Sequence, residues 1–131
     1  MRILLGLAMF LIPLVTRAED NRVASYYTNS PDKYLGQKVT MNCAYVTRQP
    51  QASKDGDGMV LFQAYTASKN NFFTSTSEIM VHVPAEASDK FVRKYGTEGK
   101  YDYNYNYSTR PMSGIFKKGA EGFYLEYTPS T

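Results

Sequence analysis

Apolar and polar positions alternate in short runs along most of this chain, and one stretch breaks the alternation with a helical spacing. Val39, Met41, Cys43 and Tyr45 recur at every second residue between Lys38 and Arg48, which predicts a strand with these four on one face. Met59–Thr66 predicts a second strand, apolar on both faces at its start and alternating afterwards. Glu78–Val83 predicts a third, with Ile79, Val81 and Val83 turned inward. From Pro84 to Gly96 the spacing changes. Phe91, Val92 and Tyr95 form one apolar stripe of a helix, while Lys90, Arg93 and Lys94 take the solvent side near the end where cations are favoured. Tyr101–Tyr107 predicts a fourth strand, bent at Thr109-Arg110-Pro111 and continued by Met112–Lys118. Gly122–Thr128 predicts a fifth, after a turn over Lys117–Gly122.

The connections carry their own signals. Ser30–Gly36 is a compact helical turn, with Ser30 to cap it, Pro31 at the first helical position and Gly36 to end it. Glu19–Asn29 is polar with Tyr26-Tyr27 and reads as an N-terminal arm. Gln49–Gly58 is a loop containing Asp55-Gly56-Asp57-Gly58. A calcium loop of the EF-hand type needs further acidic ligands and a distal Glu, so the two Asp-Gly pairs read as a hairpin turn. Ala67–Thr76 is a second loop, with Phe72-Phe73 at its tip.

The N-terminus is of another kind. Met1-Arg2 is followed by 13 uncharged apolar residues, Ile3–Val15, and then by Thr16-Arg17-Ala18. This is the pattern of a secretory signal peptide over residues 1–18, too short for the roughly 20 residues that cross a bilayer. An uncleaved anchor is the rival reading. A bacterial lipoprotein would need a Cys right after the apolar run, and the one Cys is Cys43. Cleavage changes the charge. The full chain has 15 basic and 12 acidic side chains, for a net +3; losing Arg2 and Arg17 leaves 13 against 12, for a net +1. Nucleic-acid binding rests on phosphate neutralisation, so this balance counts against it. The expected location is secreted or periplasmic, with no membrane span after cleavage.

Strand, strand, strand, helix, strand, strand is the order of the OB-fold. That fold is a five-stranded Greek-key barrel with its helix between strands three and four. The expectation is therefore one all-β domain with one helix over residues 30–131, preceded by the arm at 19–29. A small β-sandwich would leave the helix unexplained. Ser30–Val39, Glu78–Pro84, Phe91–Gly96, Ser113–Phe116 and Gly122–Glu126 together resemble secreted bacterial OB-fold domains of the tRNA-anticodon-like class. The resemblance covers roughly residues 30 to 128 and leaves out the Tyr run at 101–107. It implies a fold and says little of function, because this barrel carries many unrelated activities.

Composition narrows the chemistry. One His, one Cys and no Trp exclude a disulfide framework, a Cys-rich zinc site and catalysis by two histidines. Cys43 lies in an alternating run and reads as a buried, inert thiol. His82, the one base of neutral pKa, alternates with Val81 and Val83 and is expected on the outer face, solvated, with no orienting acid nearby. The acidic residues are scattered, so neither a metal nor another cofactor is expected, and no catalytic residue is assigned. OB-folds present ligands on strands two and three, between the loop joining strands one and two and the loop joining four and five. Here that surface is Gln63, Tyr65, Met80 and His82, framed by Gln49–Gly58 and Lys117–Gly122. Tyr101, Tyr103, Tyr105 and Tyr107 share one strand face and form a second candidate contact row, with the alternatives that they pack under the arm with Tyr26 and Tyr27 or pair across strands with Tyr124 or Tyr127. The expected function is an exported, non-catalytic binding module for a small molecule, a glycan or a protein. Single-stranded nucleic-acid binding and an accessory subunit docking by an edge strand are the alternatives.

Export predicts cleavage after Ala18. Intact-mass measurement of secreted protein should give a chain starting at Glu19; retention of residues 1–18 would reject the signal-peptide reading.

Overall fold

Five strands pair side by side until the sheet meets itself. In the computed structural model, which describes residues 22–67, 76–96 and 109–129, they are β1 (Lys38–Arg48), β2 (Val60–Ala67), β3 (Thr76–Val83), β4 (Arg110–Gly119) and β5 (Gly122–Tyr127). Their order around the closed barrel is β1-β2-β3-β5-β4, and β4 returns to β1. Every neighbouring pair is antiparallel except β3 and β5, which run parallel. This is the expected OB-type barrel, with helix α3 (Ser88–Tyr95) between β3 and β4 after a single 3-10 turn at Ala85–Ala87. Helices α1 (Ala24–Thr28) and α2 (Pro31–Tyr34) precede the barrel. Among the described residues no helix is long and apolar enough to cross a membrane. Residues 1–18, the Phe72-Phe73 tip and the row Tyr101, Tyr103, Tyr105, Tyr107 lie outside the described residues.

Alternation builds the interior as the strand pattern predicts. Val39, Met41 and Cys43 from β1, Phe62 and Ala64 from β2, Ile79, Val81 and Val83 from β3, Met112 and Phe116 from β4, and Leu125 from β5 form one buried cluster. Cys43 sits in it, and burial pushes its thiol up to about 12, far from a reactive thiolate.

One inward assignment is wrong. Tyr45 was expected beside Cys43 on the inner face. Cys43 pairs with Thr66 but Tyr45 pairs with Tyr65, so the register shifts and Ala44 is the extra residue of a β-bulge. A bulge reverses the alternation beyond it. Val46 takes the interior position at 1% exposure, and Tyr45 turns to the outer face, where its ring stacks on Tyr65 at 4.3 Å.

Both barrel ends are closed by aromatic rings. At one, Phe91 of α3 packs on Phe62 at 4.8 Å and on Tyr127 at 4.7 Å, and Tyr95 donates its hydroxyl to the Pro111 carbonyl at 3.0 Å. Phe91 and Tyr95 are buried as the helical stripe implies, with Lys90, Arg93 and Lys94 outside. At the other end Tyr27 of α1 is fully buried against Phe116 and Tyr34, and its hydroxyl donates to the Thr40 carbonyl at 2.5 Å. The segment read as a polar arm thus contains a helix that packs on the barrel. Its start has no side-chain cap of its own. The Ala24 and Ser25 amides, orphaned at a helix start, donate instead to Thr66 Oγ1 and Ser77 Oγ, both at 2.9 Å.

Phe91→Ala removes the ring that plugs the first end. The expected cost is about 3–5 kcal/mol, from lost burial and the cavity left behind, read as a lower melting temperature. A variant that melts like the parent would show that this ring does not seal the barrel.

Candidate ligand face

The outer surface of β2 and β3 carries the residues that alternation placed there. Leu61 pairs with His82, Gln63 with Met80, and Tyr65 with Glu78 across the two strands. The Gln63 amide donates to the Glu78 carboxylate. Tyr65, half-buried, lies under the stacked Tyr45 ring. Beside them an open depression of about 240 Å³ is lined by Thr28, Gln63, Glu78, Ile79, Met80 and Phe123. Gln63, Tyr65 and Met80 are therefore neighbours on one face, as expected.

His82 departs from its expected surroundings. It points away from the interior, yet it is only 4% exposed. Three side chains from two elements enclose it. Its ring stacks on Tyr124 of β5 at 3.7 Å. Nδ1 lies 2.7 Å from Asp57 Oδ2, and Nε2 lies 4.0 Å from Asp55 Oδ2. An ionised carboxylate only accepts, so Nδ1 carries the proton and donates it to Asp57. The solvated histidine without an orienting acid is thus corrected: two acids reach it from the loop between β1 and β2. Beside His82 is an enclosed cavity of about 10 Å³, bounded by Asp55, Leu61, Met80 and Tyr124 among others, which is about the size that seats one water.

Local chemistry explains why the loop reaches so far. Gly56 and Gly58 both take positive φ, at 68° and 71°, which folds the Asp55–Gly58 run back on itself. Asp57 Oδ1 accepts the Met59 amide at 3.0 Å, which fixes the carboxylate facing β3. Asp55 accepts the Ala120 amide at 2.9 Å, in the two-residue turn between β4 and β5. Lys54 pairs with Glu121 of that turn at 3.2 Å. At Gly119 an added Cβ would meet Tyr124 Cε1 at 2.8 Å and the Asp55 carboxylate, so only glycine admits this contact. The two loops expected to frame the ligand face are joined to each other across it.

The groups placed around His82 are two carboxylates and a phenol ring. Nε2 faces a carboxylate rather than a hydroxyl or thiol, and the Cys43 thiol is in the core. At 2.7 Å the Asp57–His82 contact is a direct hydrogen bond that leaves no space for an ion between the atoms. Among the described residues no group of three or more His, Cys, Asp and Glu is placed to hold a metal. Asp55, Asp57, Tyr45 and Tyr124 escape assignment from sequence. For the two acids a signal existed: an Asp-Gly-Asp-Gly loop predicted to border the strand of the one histidine. For Tyr45 none did.

No protein-family model, curated protein or solved structure matches this chain. The class defined by its own geometry is a closed five-stranded OB-type barrel with a covered outer face.

Partial burial of Asp57 would raise its carboxyl pKa, but the hydrogen bonds from His82, the Met59 amide and Ser53 outweigh this and hold it below its ordinary value of 3.8. A depressed carboxyl stabilises the fold above its unfolded value and loses that contribution as pH falls through the folded one. Asp55, Lys117 and Tyr124 are the other titratable groups around it. Loop closure should be intact at neutral pH and fail on acidification below about 3.8. The Met59 amide, which Asp57 accepts, should lose hydrogen-exchange protection in this range, and Asp57→Asn should abolish the transition.

Proposed function

We propose that this chain is an exported, non-catalytic binding module whose ligand surface is the outer face of β2 and β3. The observation that carries the reading is the pairing of a half-buried aromatic stack, Tyr45 on Tyr65, with polar Gln63 and Glu78 and the flexible Met80 on one continuous strand face. Aromatic faces supply contact area to sugar rings, peptide side chains or bases at little entropic cost, and the amide and carboxylate add direction. The apolar run Ile3–Val15 with Thr16 and Ala18 supports export. The near-neutral mature charge favours a glycan, small molecule or protein over nucleic acid. Barrel closure counts against docking by an edge strand, since β1 to β5 each pair on both sides.

A Tyr45→Ser, Tyr65→Ser double variant should lose binding in a screen of glycans, peptides and single-stranded oligonucleotides. It should give up only about 1 kcal/mol of stability for the stacked pair. Unchanged binding would reject the face. Affinity that collapses between low and moderate salt would move the assignment to nucleic acid, whereas glycan affinity should hardly change.

A further inference from the structure

Three outward positions on the ligand face are buried: Leu61 at 1%, His82 at 4% and Tyr124 at 9% exposure. Strand alternation turns all three out of the barrel, so the interior does not bury them. The cover is the connection of residues 49–59, together with the β4–β5 turn that it grips. Its attachments differ from those of the barrel. Within the loop the amides of Asp55 and Met59 are taken by the side chains of Ser53 and Asp57. Across the face it is held by Asp57 on His82, Asp55 on the Ala120 amide and the exposed Lys54–Glu121 pair. Strand pairing stops at Arg48–Phe62, with one further backbone bond from the Gln49 amide to Leu61. A segment held by side-chain contacts at a wet surface belongs to the low-stability end of a fold.

Cavities lie on both sides of this cover. The enclosed one of about 10 Å³ lies beside His82, and an open cleft of about 440 Å³ lies at the loop's base, along Arg48–Ala52 and Met59–Leu61. Leu61 lines both. Lifting the loop would uncover one groove on the outer face, running from Leu61 to the imidazole of His82. The group now seated on the imidazole Nδ1 is a carboxylate.

We propose that residues 49–59 are a hinged cover over this groove, latched by the Asp57–His82 hydrogen bond, and that the ligand admitted when it opens carries a carboxylate that takes the place of Asp57 on His82. The proposal rests on the outer face being the ligand surface and adds its regulation. The loop carboxylate acts as an internal competitor. Closed, it satisfies the imidazole; open, it leaves the imidazole donor without its carboxylate, and an incoming anion is the natural replacement.

The chain has one histidine, so imidazole chemistry reports on the cover alone. At neutral pH, diethyl pyrocarbonate should modify wild-type His82 at least about tenfold more slowly than free imidazole, while Asp57→Ala approaches the free rate. Circular dichroism should show the barrel retained in that variant. In Asp57→Ala, added acetate should shift the imidazole NMR signals saturably, supplying the missing carboxylate; wild type should not respond at the same acetate concentrations. Should Asp57→Ala fail to fold, hydrogen exchange in the wild-type chain decides the hinge. The Met59 and Ala120 amides should exchange through a local opening insensitive to low denaturant. Exchange of these amides only by global unfolding, equal modification rates in the two proteins, or no acetate response in Asp57→Ala would each overturn the proposal. These readouts lie at His82, so they fail independently of the Tyr45–Tyr65 binding test.

Discussion

Closing five short strands on themselves removes every sheet edge but leaves two open ends, and an apolar interior tolerates neither. The rest of the molecule answers that constraint. Phe91 and Tyr95 descend from α3 onto Phe62 and Tyr127 at one end, and Tyr27 seals the other against Phe116. Both plugs are aromatic because one ring fills the cross-section of a narrow barrel without leaving a void. Their hydroxyls reach backbone carbonyls of the barrel, Thr40 for Tyr27 and Pro111 for Tyr95, so no phenol is buried unpaired at either end.

With the interior and both ends sealed, the outer wall carries the remaining aromatic and polar side chains of the barrel. That wall is divided. On the β1–β2 side the bulge at Ala44 puts Tyr45 onto Tyr65 and leaves a half-buried aromatic surface. On the β3–β5 side a loop crosses the wall and binds a buried imidazole with a carboxylate. The two halves differ in chemistry: stacked rings beside an amide–carboxylate hydrogen bond on the first, and an imidazole donor paired with a carboxylate on the second.

A buried histidine on an outer strand face has a physical requirement of its own. An unpaired imidazole donor out of water is costly, so whatever buries it must also accept its hydrogen bond. The loop does both with Asp57, and Asp55 joins the same loop to the β4–β5 turn. Covering and hydrogen bonding are therefore coupled, and loss of the bond removes the reason for the cover.

The strand and helix periods in the amino-acid sequence determined β1, β2, β3 and β5, the Met112–Lys118 part of β4, the inward faces of β2 and β3, the buried stripe of α3 and the order that leads to this barrel. These are local: each depends on side chains two to four residues apart. The positions of Gln63, Tyr65 and Met80 on one outer face followed from the same alternation. Arg110 and Pro111, expected as a bend, pair with β1 instead. Tertiary structure alone decided three things. The bulge that reversed Tyr45 arises from pairing with β2 and β4, and nothing in Val39–Val46 marks Ala44 as the unpaired residue. Tyr27 became a plug through packing against residues far along the chain, although its own neighbourhood is polar. The setting of His82 depends on Asp57, 25 residues earlier, and on Tyr124, brought beside it only when β5 runs parallel to β3. Alternation fixes which side of a sheet a residue faces; what covers that side is set by segments distant in sequence.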